Sequence, residues 1–473
     1  MKQTETKKTQ KSATRALWYG GIAAGLVLVL TGGLLGSRLE RFHPGDAFVV
    51  SAASYPQMAA YPDESQYTTA SGDIKDSYYD AYDAWWEEQR ARMELPDGIS
   101  PVSLDFYGAT MAKLLKGAPG ENQVYSPLNL YFALSMLAEI TDGNSRSQIL
   151  DLLGVTRVED LREQNQALWK ISYCDDGAST CILSNSLWMN QSVNFRKSTL
   201  DSLARSYYAS SFKGEMGSED LNLAFQNWLN QQTGGLLKEQ VARLTLEPET
   251  VLALASTMYF RSKWTQEFSK GQTIEGTFHT DQGDITCSFM RQSDNRNYYW
   301  GEQFSAVGCS LESGGDMWFL LPDEGVSLDK LLEDGQAVDF LLSKGQWDNS
   351  KSLMIHLSVP KFDVSSDLNL QTTLSSLGIS DVFDPALADF SPLCQPSDNL
   401  FLSQAKHAAR VSIDEEGCLA AAYTVMAVCG AGAPPDEIEE IDFVLDRPFL
   451  FGITGTTGEL LFAGAVHQPG SSD

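Results

Sequence analysis

The sequence predicts an α+β fold, because helical patterns concentrate in the first half of its globular part and strand patterns in the second. Apolar residues at helical spacing occur in three segments, 106–115, 128–139 and 146–153. Strand-like runs occur in five, 182–189, 251–260, 352–359, 411–413 and 449–453. The run at 251–260 is almost continuously apolar, which is typical of a strand buried in the middle of a sheet.

Composition limits the class of protein. The 473 residues are 43% hydrophobic and carry a net charge of −28. That is enough apolar material for one large domain with a tail. The strong negative charge excludes a basic surface for nucleic acid and favours contact with basic proteins.

The first residues predict a membrane anchor. Segment 1–15 has five Lys and Arg residues and one acidic residue, and an uncharged, apolar run follows from Ala16 to Gly36. Such a run is long enough to cross a bilayer core of about 30 Å. The basic flank predicts residues 1–15 on the cytoplasmic side and everything after Arg38 outside the cell. The alternative is a cleaved signal peptide, which would give a secreted protein.

Residues 37–102 form a region of different composition, acidic and rich in tyrosine. Few aliphatic residues occur there, so we expect a spacer without a core of its own. Segment 80–92, with Trp85 and Trp86, has the composition of a short helix. The globular domain is predicted to span residues 103–473.

The cysteines and histidines predict neither a metal site nor a cofactor. Seven cysteines are present, without CxxC spacing, and five histidines are scattered along the chain. Cys174 and Cys181 could close a small loop; buried thiols are the other interpretation.

The most unusual segment is the uncharged run from Gly417 to Pro435, which lies between two acidic clusters. Its first half is dominated by small residues, and β-favouring residues follow. Neutral and mostly small side chains could enter the middle of a β-sheet without burying a charge. A short alanine-rich helix followed by a loop is the alternative interpretation.

Two motifs around this run resemble the hinge and the C-terminal signature of the serpins: Ile-Asp-Glu-Glu-Gly-Cys-Leu-Ala-Ala-Ala at 413–422 and Phe-Val-Leu-Asp-Arg-Pro-Phe-Leu-Phe-Gly-Ile at 443–453. Further similar motifs follow in the family's order, at 125–129, 185–188, 259–264 and 359–362. The resemblance covers residues 103–469. With the N-terminal segment, it suggests a bacterial, membrane-anchored member with a large mixed main sheet, two smaller sheets and an exposed reactive loop at about 417–442.

The resemblance implies an inhibitor and not an enzyme. A serine protease would cleave the loop and form an acyl-enzyme, and the freed loop would enter the main sheet as a new strand. The residues that the resemblance assigns to the hinge are Glu415, Glu416, Gly417, Cys418, Leu419, Ala420, Ala421 and Ala422. In an inserted strand Cys418, Ala420 and Ala422 would share one face, and Leu419 would lie on the other.

The resemblance also assigns two clusters that would control opening of the sheet. The shutter cluster is Ser126, Asn129, Ser256 and His407, and the breach cluster is Trp264, Lys361 and Glu415. The family usually has serine at the second shutter position and asparagine at the third, and this chain exchanges them. A Glu415–Lys361 ion pair would hold the hinge shut; a weak surface pair is the other interpretation.

Counting from Glu415 by the family's spacing puts the reactive bond at Ala431–Gly432. Counting back from Arg447 differs by about six residues, a difference that an acidic insertion at 436–441 would explain. Every candidate from Cys429 to Ala433 is small, which suits an extracellular elastase-like or subtilisin-like protease with a shallow primary pocket.

Two other functions remain open at this point. A non-inhibitory serpin-fold binding protein on the cell surface would have the same motifs. We expect the inhibitor to be a monomer. A membrane-anchored hydrolase would need a nucleophile motif that the sequence lacks.

Overall fold

The computed structural model describes most of the chain after residue 45. The described residues are 46–53, 55, 58–62, 64–69, 72–92, 96, 99, 101–118, 120–177, 179–235, 237–248, 250–312, 314–395, 400–402, 405–418 and 439–470. The chain divides into two units, residues 1–47 and 48–473, and of the first the structure describes residues 46 and 47. The predicted anchor, the reactive bond and hinge residues 419–422 lie outside the described part.

The α-helices of the described part are α1 (Glu64–Tyr67), α2 (Asp76–Arg92), α3 (Leu104–Leu114), α4 (Pro127–Ile140), α5 (Gly143–Leu153), α6 (Val158–Ser172), α7 (Lys197–Ser206), α8 (Glu219–Gln232), α9 (Lys238–Val241), α10 (Leu328–Asp334), α11 (Gln336–Leu342) and α12 (Leu370–Ser376). Short 3-10 turns occur at Asp46–Phe48, Lys270–Gln272 and Asp381–Phe383.

The β-strands are β1 (Val49–Ser51), β2 (Gln123–Tyr125), β3 (Cys174–Asp175), β4 (Thr180–Asn190), β5 (Ala209–Gly214), β6 (Leu252–Lys263), β7 (Ile274–Thr280), β8 (Gly283–Trp300), β9 (Phe304–Ser310), β10 (Asp316–Pro322), β11 (Ser350–Pro360), β12 (Phe362–Asn369), β13 (Lys406–Ile413), β14 (Gly417–Cys418), β15 (Glu440–Val444), β16 (Phe449–Thr454) and β17 (Leu460–Val466).

The main sheet is mixed and has the order β1-β5-β4-β6-β14-β13-β12, with β3 paired to β4. Strands β4 and β5 are parallel, and the other neighbours are antiparallel. Within the described residues β6 and β13 do not pair with each other. The two-residue strand β14 lies between them, pairing with Ser262 and Lys263 on one side and with Ile413 on the other. We call the gap between β6 and β13 the seam.

A second, nine-stranded sheet has the order β15-β11-β8-β9-β10-β16-β17-β2, with β7 paired to β8. The long strand β8 pairs with β7 through residues 283–289, with β11 through residues 289–299 and with β9 at residues 298–300. The two smaller sheets expected from the resemblance are therefore continuous through β8. The α+β class and the large mixed main sheet are confirmed.

The core follows the periodic segments found in the sequence. Helix α4 begins because the Ser126 hydroxyl accepts a hydrogen bond from the Asn129 N–H (3.2 Å) and a proline occupies the first helical turn. All but one of the α4 side chains are buried, since this helix lies inside the domain against β6 and β17. A smaller core lies under α8, where Trp188 stacks on Phe212 with ring centroids 4.1 Å apart.

The region predicted as a spacer is structured where it is described. Strand β1 pairs with β5 and adds an edge strand to the main sheet. Tyr55 stacks on Trp169 and Tyr173, with centroids 5.5 and 5.7 Å apart. The helix expected at 80–92 is α2, which begins four residues earlier. Among the described residues of this segment, Tyr55 and Trp85 contact the domain, whereas the rings of Tyr61, Tyr78 and Tyr82 pack on one another.

None of the helices that the structure describes is long and apolar enough to span a bilayer. Likewise, no cluster of three or more metal-ligating side chains occurs among the described residues.

The stacking of Tyr55 leads to a first prediction. Replacing Tyr55 with alanine removes its contacts with two buried rings, and we expect a loss of about 1–3 kcal/mol of stability. Urea unfolding followed by tryptophan fluorescence would measure this loss. Leu387→Ala is the matched control, because Leu387 is 57% exposed and should leave the midpoint unchanged. Equal midpoints for both variants would contradict the docking of this segment.

Candidate functional site

The candidate site begins where β13 turns back on itself. The Asp414 carboxylate accepts hydrogen bonds from the backbone N–H groups of Glu416 (2.9 Å) and Gly417 (3.2 Å). The Asp414 N–H donates to the Gly417 carbonyl at 3.0 Å. This tight turn directs the chain from the end of β13 straight into the seam as β14.

Gly417 is required at the entrance of the seam by close approach of the backbone. A Cβ at this position would lie 2.7 Å from the Lys263 Cα and would clash with the Ser262 carbonyl oxygen. Both atoms belong to the main chain of β6, which cannot yield as a flexible side chain could. Glycine is therefore the residue that lets β14 pair with β6 here.

Cys418, the next residue, is buried in the core between the two sheets. Its Sγ lies 3.6 Å from the Met317 Sδ of β10. Burial raises the pKa of the Cys418 thiol, so the thiol stays protonated and behaves as a small apolar side chain. This places Cys418 on the inner face of the main sheet.

The Glu415 carboxylate lies in a buried polar cluster beside the entrance. It is 5% exposed, accepts a hydrogen bond from the Thr273 hydroxyl (2.8 Å) and lies 2.7 Å from the Lys361 Nζ. Burial alone would raise the pKa of Glu415, but the hydrogen bonds from Lys361 and Thr273 hold it below the usual value. The pair is therefore not a weak surface pair.

The third breach residue, Trp264, holds the same turn from the other side. Its indole Nε1 donates to the Asp414 carbonyl at 2.9 Å, and its backbone N–H donates to the Glu416 carbonyl at 3.2 Å. The structure thus brings Trp264, Lys361 and Glu415 together around one turn. Glu416 instead points outwards to Lys270 (2.5 Å), an exposed pair that contributes little.

His407 and Ser126 connect β13 to the start of α4. The His407 Nε2 accepts a hydrogen bond from the Ser126 N–H at 3.0 Å. Burial lowers the pKa of His407 to about 4, so the imidazole is neutral near pH 7 and can accept this bond. The histidine acts as a core hydrogen-bond partner, and no catalytic serine faces it in the described part of the chain.

Asn129 connects the same helix to β6. Its side-chain amide donates to the Ser256 carbonyl at 3.1 Å, and its Oδ1 contacts the Ser256 hydroxyl. The longer asparagine side chain thus reaches from α4 to both polar groups of the serine on β6. The exchange of serine and asparagine between these two positions keeps a helix-to-strand connection.

Sequence reasoning missed two residues of these clusters. Asn185 on β4 lies 2.7 Å from the Ser256 hydroxyl through its Oδ1, and its amide donates to the Tyr207 carbonyl at 2.7 Å. The signal was a buried amide inside an apolar strand. Thr273 was missed because nothing in its local sequence points to Glu415, a distant residue in the chain.

A cavity of about 140 Å³ lies along the seam below these clusters. Its lining includes Leu252 and Leu254 of β6, Ala408 of β13, and Phe225 and Leu229 of α8. Most of the lining side chains are apolar, and the charged residues Asp367 and Lys406 also line the cavity. Helix α4 holds β6 through Asn129 and β13 through Ser126, so the two sides of the seam are bound to one common support.

Comparisons with known proteins agree with this geometry. Residues 102–469 match the family model described as Serpin (serine protease inhibitor). The human protein named leukocyte elastase inhibitor is 28% identical over 388 residues, covering 80% of this chain and all of the relative. Serpin-ZX of Arabidopsis thaliana is 27% identical over 366 residues, covering 74% of this chain and 92% of the relative.

Among solved structures, the chain is similar to tengpin, a thermophilic serpin, in its native state. The TM-score is 0.68 at 25% identity, and the match covers 79% of this chain and 96% of tengpin.

The Glu415 cluster leads to a pH-dependent prediction. Because its pKa is lowered in the folded state, the Glu415 carboxylate stabilises the protein above about pH 4.3, and this contribution is lost as pH falls further. Glu415→Gln should lower the stability at pH 7 by about 1–3 kcal/mol, with the difference from the wild type shrinking below pH 4. Urea unfolding at a series of pH values would measure it.

Glu416→Gln is the matched control, since it changes the neighbouring carboxylate in an exposed pair. A loss at pH 7 as large as that of Glu415→Gln would contradict the special role of Glu415.

His407 leads to a prediction in a different pH window. Its pKa is about 4 in the folded protein, against about 6.5 in an unfolded chain. The unfolded state therefore binds a proton first, and stability should fall by about 3 kcal/mol between pH 6.5 and pH 4. His407→Gln can still accept from Ser126 but does not titrate, so it should lack this decline.

Asn129→Ser weakens the adjacent network but keeps the imidazole, and it should retain the wild-type slope in this window. Identical pH slopes for the wild type and His407→Gln would show that the imidazole is not the titrating group.

Proposed function

The chain belongs to the serpin family, and we propose that it is a suicide-substrate inhibitor of serine proteases with a small primary pocket, elastase-like or subtilisin-like. The observation that carries the proposal is the position of β14. Gly417 and Cys418 already occupy the first two places of the seam between β6 and β13. The uncharged run continues from that point, so further residues could follow the same path.

The first step would be ordinary proteolysis of the loop. The protease serine oxygen would attack the Ala431 carbonyl, and an ester would form as the Gly432 amine leaves with a proton. A small residue before the bond supports a shallow pocket. The name of the human relative, leukocyte elastase inhibitor, supports the same class of target.

The second step would be insertion, which the geometry of the seam supports. Each loop residue that joins the seam would pair with β6 and β13, at about 1 kcal/mol net for each hydrogen bond. Residues 418–435 include no charged side chain that would have to be buried. A dozen inserted residues would therefore supply on the order of 10 kcal/mol to displace and distort the attached protease.

We include in this proposal that the domain acts outside the cell, attached through residues 16–36. The basic residues before this apolar run support the orientation. A cleaved signal peptide would give the same inhibitor in secreted form.

The test of this proposal is a covalent complex. Mixed with an elastase-like protease, the protein should form a species that survives boiling in detergent. Its mass should be that of the protease plus the chain without its C-terminal fragment. N-terminal sequencing of the released fragment should give a start near Gly432. Cleavage without a complex, across several small-pocket proteases, would favour a non-inhibitory binding protein.

Two variants separate the steps. Ala420→Glu places a charge in the inserted strand, which makes insertion less favourable by several kcal/mol. The variant should fold normally and be cleaved as a substrate. Wild-type stoichiometry of inhibition for Ala420→Glu would exclude insertion as the mechanism.

Ala431→Arg leaves the inserting residues unchanged and should transfer inhibition to trypsin-like proteases.

A further inference from the structure

The outward face of α2 combines two aromatic and three acidic side chains that are exposed. Tyr79 and Trp86 are 55% and 37% exposed. Asp80, Asp83 and Glu87 are exposed beside them. The spacing of these five residues puts them on one side of the helix. Single exposed apolar residues are common, but two aromatic rings aligned among carboxylates form a surface with a defined chemistry.

The inward face of α2 fixes this helix to the domain. The Trp85 indole is buried, and its Nε1 donates to the Asp176 carboxylate at 3.1 Å. The Tyr61 N–H donates to the Asp176 carbonyl at 2.8 Å, and the Tyr61 ring packs edge-on against Trp85 with centroids 5.0 Å apart. Because these contacts hold the helix, Tyr79 and Trp86 are presented on a supported surface.

This surface lies at the end of the main sheet from which the loop departs. Asp176 is in the turn that leads into Thr180, the first residue of β4. Thr180 is level with Arg261 of β6, one residue before the Ser262 that pairs with Cys418. Strands β4 and β14 are separated by β6 alone, so Thr180 and Cys418 are about 10 Å apart.

Glu312 gives a second link between the two places. Its N–H donates to the carbonyl of Lys263, the residue that pairs with Gly417. The pKa of Tyr61 is raised first by burial, then by Tyr78 and Tyr82, and also by the carboxylate of Glu312. Tyr61 is therefore within electrostatic reach of the residues that line the entrance of the seam.

We propose that the outer face of α2, formed by Tyr79, Asp80, Asp83, Trp86 and Glu87, is a second docking site for the target protease and binds a basic patch on that protease. This inference rests on the proposed inhibitory function. A protease that holds the reactive loop must approach this end of the main sheet. The outer face of α2 would then contact the protease surface beside its active-site cleft.

The chemistry of the face selects arginine and lysine side chains. A guanidinium can stack on an aromatic ring while its N–H groups bind a carboxylate. Trp86 already has this contact within the chain, since the Arg90 guanidinium lies 6.0 Å from its ring centroid. Tyr79, about 10 Å away along the helix, offers a second ring. The net charge of −28 would further attract a basic partner over long range.

The experiment uses the full chain and a basic elastase whose active-site serine has been sulfonylated, so that no acyl bond can form. We expect this elastase to bind the wild-type chain more weakly as salt increases. The combined variant Tyr79→Ser, Trp86→Ser, Asp80→Asn, Asp83→Asn, Glu87→Gln should bind about tenfold more weakly or worse and depend less on salt than the wild type.

The matched control changes three exposed carboxylates elsewhere: Asp323→Asn, Glu324→Gln and Asp329→Asn. These three residues come after Pro322, the last residue of β10. Pro322 lies about 20 Å along that strand from Asp316, the first residue of β10. The control should bind as the wild type does. A subtilisin-type protease that lacks a basic patch should be inhibited by the α2 variant and by the control variant at the same rate.

The outcomes separate this inference from the function on which it rests. If the active elastase forms no covalent complex with the wild-type chain, the inhibitory function fails, whatever the binding data show. If the complex forms and the α2 variant binds and reacts at the wild-type rate at low salt, the docking site is wrong. Binding of the sulfonylated elastase that is insensitive to salt would overturn it without any variant. Dimerisation of the wild-type chain, lost in the α2 variant, would assign this face to a second copy instead.

Discussion

The other features of the domain depend on one constraint: the backbone groups along the seam between β6 and β13 need hydrogen-bond partners. Backbone N–H and C=O groups inside a protein need hydrogen-bond partners, so a place where two central strands do not pair must receive another strand. In the described part of the chain Gly417 and Cys418 are the residues paired there. Residues that follow them into the seam with side chains on the inner face must be uncharged, since that face packs on the core around Cys418.

Two polar clusters hold the sides of this seam in different ways. At the entrance, Lys361 and Thr273 hold the Glu415 carboxylate, so the hinge is bound by charge. Further along, α4 binds both strands with neutral hydrogen bonds, through Ser126 to His407 and through Asn129 to Ser256. A neutral network can part and re-form with less cost than a buried ion pair, because no isolated charge is left behind. The two clusters therefore suit a sheet that is held closed at one point and can separate along its length.

The segment before the domain shows how a chain with few aliphatic residues becomes ordered through aromatic contacts. Its tyrosines and tryptophans have large apolar faces. Tyr55 stacks on the ring of Trp169, and Trp85 donates a hydrogen bond to Asp176. Strand β1 uses the free edge of β5, so part of its backbone is satisfied by the main sheet. Side chains on the opposite side of α2 are then available for other contacts, and there the acidic composition of the segment is exposed.

The sequence alone determined the features that depend on local periodicity and on composition. Helices α3, α4 and α5 and strands β4, β6, β11, β13 and β16 lie where apolar spacing predicted them, because each buries one stripe or both faces in a core. The uncharged run after Glu416 can be identified from the sequence alone. The resemblance then assigned Glu415, Lys361 and Trp264 to the breach cluster, and the shutter cluster to Ser126, Asn129, Ser256 and His407.

Tertiary structure alone decided which distant groups meet. Thr273 and Glu415 are far apart in the sequence, and so are Asn185 and Ser256; only the packing of strands and helices brings their polar atoms within 2.8 Å. Strand β14 has two residues, too few for a periodic signal, and its pairing depends on the space that a missing Cβ leaves beside β6. The sequence also did not determine where the described residues between 48 and 92 pack on the domain. Their aromatic composition predicts that the rings are buried, but it does not identify the surface that buries them. Local patterns show which side chains can be buried. They do not show which distant residues those side chains pack against, because that depends on long-range contacts.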